Sequence, residues 1–242
     1  MKPISRRTLI TTGLAAAAGV TGLAAADRVA RRYGLVPPDC KGIYGPGETL
    51  TYAAQRILAR HAMAREFPRS MISKTPFMNE VAPPSDAFKK LQAGEFNDWK
   101  LTVDGMVAHP MTLSLADLRS MTTHSQITEV VCEEGWSYVA EWIGTPLSGV
   151  LREAGALPQA RYVKYSSIQP DWSDSIDMAD AHHPQTFLTL GMNDGALPVG
   201  FGGPLRLRVP RQLGYKSVKY VNRITLTDSM KFQGEYAWYA GI

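Results

Sequence analysis

The pattern of apolar and polar positions changes character near residue 97. Beyond that point short apolar runs alternate with helical signals. Leu101, Val103 and Val107 mark a strand that ends by Pro110. Ser114-Leu115-Ala116-Asp117 has the form of a capping box, and Leu115, Leu118 and Met121 make the apolar stripe of the helix it would start. A β-rich run from Ile127 to Val131 enters Cys132 directly. Thr145-Pro146 opens a second helix, with Leu147, Val150, Leu151 and Ala154 on one face and Gly155 as its stop. Tyr162 to Ser167 and Thr186 to Met192 follow as strands, the latter leading into the turn Asn193-Asp194-Gly195. Leu205, Leu207 and Val209 then alternate with Arg206 and Arg208, and Val218 to Thr227 closes the series. Many strands with few intervening helices predict an α+β domain built on a mixed sheet.

The first part of the chain lacks this rhythm. Asp27 to Phe96 is turn-rich, with one helical stretch near Thr51 to Glu66 and prolines at Pro37-Pro38, Pro68, Pro76 and Pro83-Pro84. It is read as an irregular N-terminal lead to the main domain. The organisation expected is a signal segment at 1–26, the lead at 27–96, a catalytic domain at 97–230 and a tail at 231–242.

Residues 1–26 carry Lys2, Arg6 and Arg7 and no acid, and Leu9 to Ala26 is uncharged and rich in Ala, Gly, Thr and Leu. A paired-arginine start, a weakly apolar middle and small residues at Ala24-Ala25-Ala26 resemble a twin-arginine export signal with Asp27 as the expected mature start, the alternatives being an ordinary Sec signal or an uncleaved anchor. The export machinery is thereby an expected partner and the periplasm the expected location. That route carries folded proteins, which suits a cofactor inserted before export.

Charge and composition narrow the chemistry. The net charge of +4 is concentrated in the signal; without its three cations, 23 basic residues face 22 acidic ones. So balanced a body gives no electrostatic case for nucleic acid. With 242 residues, 45% hydrophobic, the chain can bury a core, and two cysteines exclude a disulfide scaffold.

Three features carry candidate chemistry. Cys132 closes a strand in Val130-Val131-Cys132-Glu133-Glu134-Gly135-Trp136; it is a small buried hydrophobe, half of a pair with Cys40, or a thiolate ligand for a soft or high-valent metal. Gly202-Gly203-Pro204-Leu205-Arg206, with Lys216-Ser217-Val218-Lys219, combines close-approach glycines with cations suited to a buried phosphate, or else forms a solvated basic edge. His183-Pro184 reads as a turn.

The order of these features resembles the molybdopterin-binding domain of the sulfite oxidase family from about Trp99 to Asp228. The likeness rests on the cysteine after a β-run, on Trp142-Ile143-Gly144, and on the stretch from Gly203 through Lys219. Within the family it is nearest to the methionine-sulfoxide-reducing branch, in which an acid and a tryptophan follow the cysteine as Glu134 and Trp136 do here. The resemblance implies a sulfite-oxidase-like fold and a molybdenum–molybdopterin cofactor. Cys132 would be the protein thiolate on the metal. Arg206, Ser217, Val218 and Lys219 would bind the pterin and its phosphate, Ser167 matches a pterin-contacting Thr, and Asn79 corresponds to an N-terminal pterin contact. Glu134 falls where that branch has an acid close to the metal.

Two departures bear on substrate. Phe201 stands where relatives offer a polar Asn or His, and Glu133-Glu134 follow the cysteine where sulfite oxidases gather cations. Like charges about 4 Å apart interact by about 1 kcal/mol in water and about 4 at an effective dielectric of 20. A dianion such as sulfite is therefore disfavoured, and a neutral S-oxide or N-oxide small molecule is the expected substrate. No haem-attachment or cluster-binding cysteine motif occurs, so a separate electron-transfer partner is expected, such as a membrane haem protein, with the enzyme itself a monomer. The competing readings are an exported non-catalytic binding protein on the same fold, and a sulfite-oxidising enzyme.

Overall fold

The computed structural model describes residues 61–79, 85–169 and 172–228, with positions 22, 25, 53, 54 and 57–59 before them. Two units separate within the chain, Met1–Ala62 and Met63–Ile242. In the first, the described positions are mostly helical. The signal segment, apart from positions 22 and 25, lies outside the described residues, as do Cys40 and the tail at 231–242. No helix among the described residues is long and apolar enough to cross a membrane.

The second unit holds two sheets. In one, β1 (Lys100–Gly105) lies between β2 (Met111–Ser114) and β10 (Val221–Thr227), and β5 (Tyr162–Ser167) and β6 (Ser173–Asp177) extend it in the order β2-β1-β10-β5-β6. Only β1 and β10 run parallel there, so the sheet is mixed, as the sequence predicts. The other sheet runs β3 (His124–Val131), β4 (Ser137–Pro146), β7 (Phe187–Met192) and β8 (Gly195–Ala196), with β9 (Arg206–Arg208) also paired to β7. Alternation explains β1, where Leu101 and Val103 are buried between less buried neighbours. The residues of β7 are buried throughout, and six consecutive apolar or small residues read as an interior strand.

Gly144 is obligatory in β4. A Cβ there would sit 2.1 Å from the Leu188 carbonyl oxygen, at the point where the β4–β7 register shifts. The close approach keeps β4 against β7 and so fixes the frame on which the β3–β4 turn stands.

Helices α1 (Asp86–Ala93), α2 (Leu115–Ser120), α3 (Leu147–Glu153) and α4 (Met178–Ala181) cover the sheets. The capping box forms as read: Ser114 Oγ accepts from the Asp117 amide at 3.1 Å, and the Asp117 carboxylate accepts from the Ser114 amide at 2.8 Å. In α3, Leu147, Val150 and Leu151 are fully buried in the main core, where truncation of any one to Ala costs about 2–5 kcal/mol. A smaller cluster of Val130, Tyr138, Ala140, Trp142, Met192 and Leu197 underlies the β3–β4 turn.

Several expected boundaries move. The helix placed near Thr51 to Glu66 does not reach its end, because Glu66 instead bridges to Thr128. Helix α1 lies in the supposedly irregular lead; Ser85 caps it by accepting from the Phe88 amide, and Phe88 buries against Phe96, Trp99 and Tyr220. Strand β1 stops at Gly105, and Val107 makes only an isolated bridge to Ala156. Strands β4 and β6 were not anticipated: β4 is buried on both faces and carries no alternation to detect.

Candidate active site

Cys132 begins the five-residue turn between β3 and β4. Its amide donates to the Trp136 carbonyl at 3.0 Å and its carbonyl accepts from Gly135 at 3.1 Å, so the turn is closed by its own backbone. Opposite it, the segments 202–207 and 218–221 run alongside each other: Tyr220 N donates to Gly202 O, Leu207 N to Val218 O, and Val221 N to Leu205 O. Gly214 joins the two sides, since a Cβ there would lie within 3.5 Å of Val131 O and Cys132 Cα. Between them opens a cleft lined by Cys132, Glu134, Asn79, Arg206, Ser217 and Lys219.

Of the residues singled out from sequence, those six share the cleft. Ser167 and Val218 do not line it. Ser167 Oγ instead accepts from the amide of Gln169, which does line the cleft, at 3.0 Å. Val218 buries its side chain in the main core. Glu133, Trp136, Gln169, Trp172, Gly214 and Tyr215 complete the lining. Gln169 and Trp172 come from the β5–β6 connection, which only the tertiary fold brings to Cys132; no local pattern marks them.

The acidic wall is built around the thiol. Cys132 is 9% exposed and carries a free thiol. Its Sγ lies 3.4 Å from a Glu133 carboxylate oxygen and 3.8 Å from one of Glu134. Burial pushes the thiol up to about 11, and the side chains of both glutamates push in the same direction. The thiol is therefore protonated at neutral pH and must shed its proton to ligate a cation. Trp136 donates its indole N–H to Glu134 at 2.7 Å, and its ring packs on Phe77 and stacks on Tyr138.

The basic wall is held by backbone. Arg206 is 4% exposed; its Nε donates to Ser217 O at 2.9 Å, its NH1 to Phe201 O at 3.0 Å, and its guanidinium lies 5.5 Å from the Trp142 ring centroid. Phe201, which lacks a polar side chain, thus contributes a carbonyl that orients Arg206. Lys219 donates to Gly200 O at 2.8 Å. Side-chain atoms at Gly202 and Gly203 would strike Lys219 and the Leu197 carbonyl, so these glycines make room for the protein's own chain. Lys216 also differs from its neighbours: it is buried and paired with Asp174 at 2.7 Å, away from the cleft lining. Burial pushes Tyr215 up to about 12, with Asp174 and Glu133 adding to it.

Both halves of β9 are buried, since Leu205, Arg206, Leu207, Arg208 and Val209 are all sequestered. Arg206 is therefore not part of a solvated basic edge. A soft thiol donor at one wall and backbone-oriented cations at the other fit a group that combines a metal with an anion. Among the described residues no group of three or more His, Cys, Asp or Glu could hold a metal ion.

The chain belongs to the oxidoreductase molybdopterin binding domain family, whose pattern matches residues 89–236. It is thus a molybdopterin-dependent oxidoreductase with the sulfite-oxidase-like fold expected from the sequence. The putative protein-methionine-sulfoxide reductase subunit YedZ1 of Azospira oryzae is 36% identical, covering 74% of this chain and 68% of its own. The protein-methionine-sulfoxide reductase catalytic subunit MsrP of Xanthomonas axonopodis pv. citri is 30% identical, covering 97% of this chain and 72% of its own. Among solved structures, the sulfane dehydrogenase SoxCD of Paracoccus pantotrophus shares the fold with a TM-score of 0.53 at 24% identity, covering 55% of this chain and 39% of that one.

Proposed function

We propose that this protein reduces an S-oxide, with methionine sulfoxide as the first substrate to test, in an exported setting and with electrons from a separate redox partner. The observation that carries the reading is the pair of carboxylates beside the Cys132 thiol, at 3.4 and 3.8 Å. Carboxylates at that position repel a sulfite dianion and tolerate a neutral sulfoxide. Similarity to the two methionine-sulfoxide reductase subunits supports the same choice.

The overall reaction takes one sulfoxide, two electrons and two protons to one sulfide and one water. The molybdenum cofactor, when bound, supplies oxygen-atom transfer coupled to electron transfer. Cys132 would be its protein ligand. Arg206, Ser217 and Lys219 would hold its anionic end, and Asn79 a nearer part of the pterin. Glu134, which accepts from the Trp136 indole, would take up protons and pass them to the departing oxygen, a contribution worth roughly 10²–10⁴-fold for a well-positioned acid. Ser167 acts at one remove, through Gln169.

Export by the twin-arginine route and a periplasmic location rest on the Arg6-Arg7 segment, and a membrane haem protein is the partner class to seek first. The deciding experiment supplies the purified, cofactor-loaded protein with a reduced viologen dye and either methionine sulfoxide or an N-oxide, and separately sulfite with an electron acceptor. Dye oxidation by the sulfoxide without sulfite turnover is expected. Sulfite oxidation without sulfoxide reduction overturns the proposal.

A further inference from the structure

A second arginine stands behind the basic wall. Arg208 is 1% exposed, and its hydrogen-bond partners include no carboxylate. Its NH1 donates to Ser217 Oγ at 3.1 Å. Its NH2 donates to the Glu129 carbonyl and, at 3.4 Å, to Thr128 Oγ1. Its guanidinium lies 5.2 Å from the centroid of the same Trp142 ring that Arg206 covers. Burying a cation without a counter-charge is unfavourable, so the group's location calls for compensation beyond packing.

Ser217 shows where that compensation leads. A hydroxyl has two lone pairs and one proton. Ser217 Oγ accepts from Arg208 at 3.1 Å and from the Val209 amide at 3.1 Å, which uses both lone pairs. The side chain is 2% exposed and lines the cleft, and its proton has no acceptor among the described residues. Its carbonyl is taken by Arg206. Two buried arginines thus grip one serine, and the hydroxyl is left with donation as its remaining role. The Glu129 carbonyl belongs to β3, three residues before Cys132, so the same guanidinium ties the thiol's strand to the opposite wall.

We propose that Arg208 is a positioning residue for the cofactor: it orients the Ser217 hydroxyl to donate to the cofactor's anionic group and holds that donor in register with Cys132. This rests on the cofactor occupying the described cleft.

The test follows cofactor retention rather than turnover. Wild-type protein, Arg208→Met, Arg208→Lys, Ser217→Ala and the Arg208→Met/Ser217→Ala pair are purified from a molybdate-supplied host. Molybdenum and pterin per chain are followed through prolonged dialysis, and folding is checked by circular dichroism. Arg208→Met and Ser217→Ala should each lose cofactor roughly tenfold faster, about the worth of one charge-assisted hydrogen bond, and the pair no faster than the worse single variant. Arg208→Lys, which keeps one donor, should fall between wild type and Arg208→Met. Wild-type retention by folded Arg208→Met, or losses that multiply to about a hundredfold in the pair, overturns the proposal. If Arg208→Met does not fold, Ser217→Ala decides alone, and its retention at the wild-type rate overturns it. Wild-type protein without molybdenum or pterin removes the cofactor reading and this proposal together, an outcome distinct from the others.

Discussion

The indole N–H of Trp136 donates to Glu134 at 2.7 Å, while the same Glu134 oxygen lies 3.8 Å from Cys132 Sγ. One aromatic residue thus fixes an acid beside the atom assigned as metal ligand, and Phe77 and Tyr138 hold that aromatic by its faces.

Trp136→Phe keeps the ring contacts and removes the donor. We expect kcat for sulfoxide reduction to fall about tenfold with KM little changed, and Glu134→Gln to lower kcat by about a hundredfold. Steady-state kinetics with a reduced dye measure both. Wild-type kcat in Glu134→Gln removes the acid from the account.

Lys216 and Lys219, three positions apart, should respond in different ways. Lys216→Met leaves the buried Asp174 without its partner and should destabilise the fold by about 3–5 kcal/mol. Lys219→Met removes a hydrogen bond to the Gly200 carbonyl and should cost less stability than Lys216→Met while weakening cofactor retention, because Lys219 lines the cleft. Thermal melts and molybdenum content separate the two effects.

The capping box supplies a pH dependence. Hydrogen bonds from Ser114 hold the Asp117 carboxyl below its ordinary value. A depressed acid contributes stability that is present above its unfolded value and is lost as pH falls through the folded one. Asp117→Ala should therefore melt below wild type at pH 7, and the difference should close as the pH is taken below 3.8, the ordinary value. A gap independent of pH contradicts the assignment of the effect to ionised Asp117.

Much of the frame was legible because its signals are local. The capping box at Ser114, the helix after Pro146 and the strand from Tyr162 each depend on residues within one turn or one alternation. Strand β4 was invisible because burial on both faces erases the period-two pattern, and α1 because a proline-rich setting hides eight residues whose decisive contact, Phe88 on Tyr220, is long-range. Of the residues that line the cleft, Cys132, Arg206 and Lys219 stood out by residue type and Glu134 through the family resemblance. Gln169 and Trp172 did not, since nothing in their neighbourhood distinguishes them before the β5–β6 connection meets the cleft. The setting of Arg208 was hidden for a related reason: only the tertiary fold brings the Trp142 ring and Ser217 against it.

The central claim is that Cys132 ligates molybdenum, and it is tested most directly by metal analysis joined to visible absorption of wild-type and Cys132→Ser protein. The account expects about one molybdenum per wild-type chain and a thiolate-to-metal band that is absent from Cys132→Ser. A colourless, molybdenum-free wild type, or a band that survives the substitution, contradicts it.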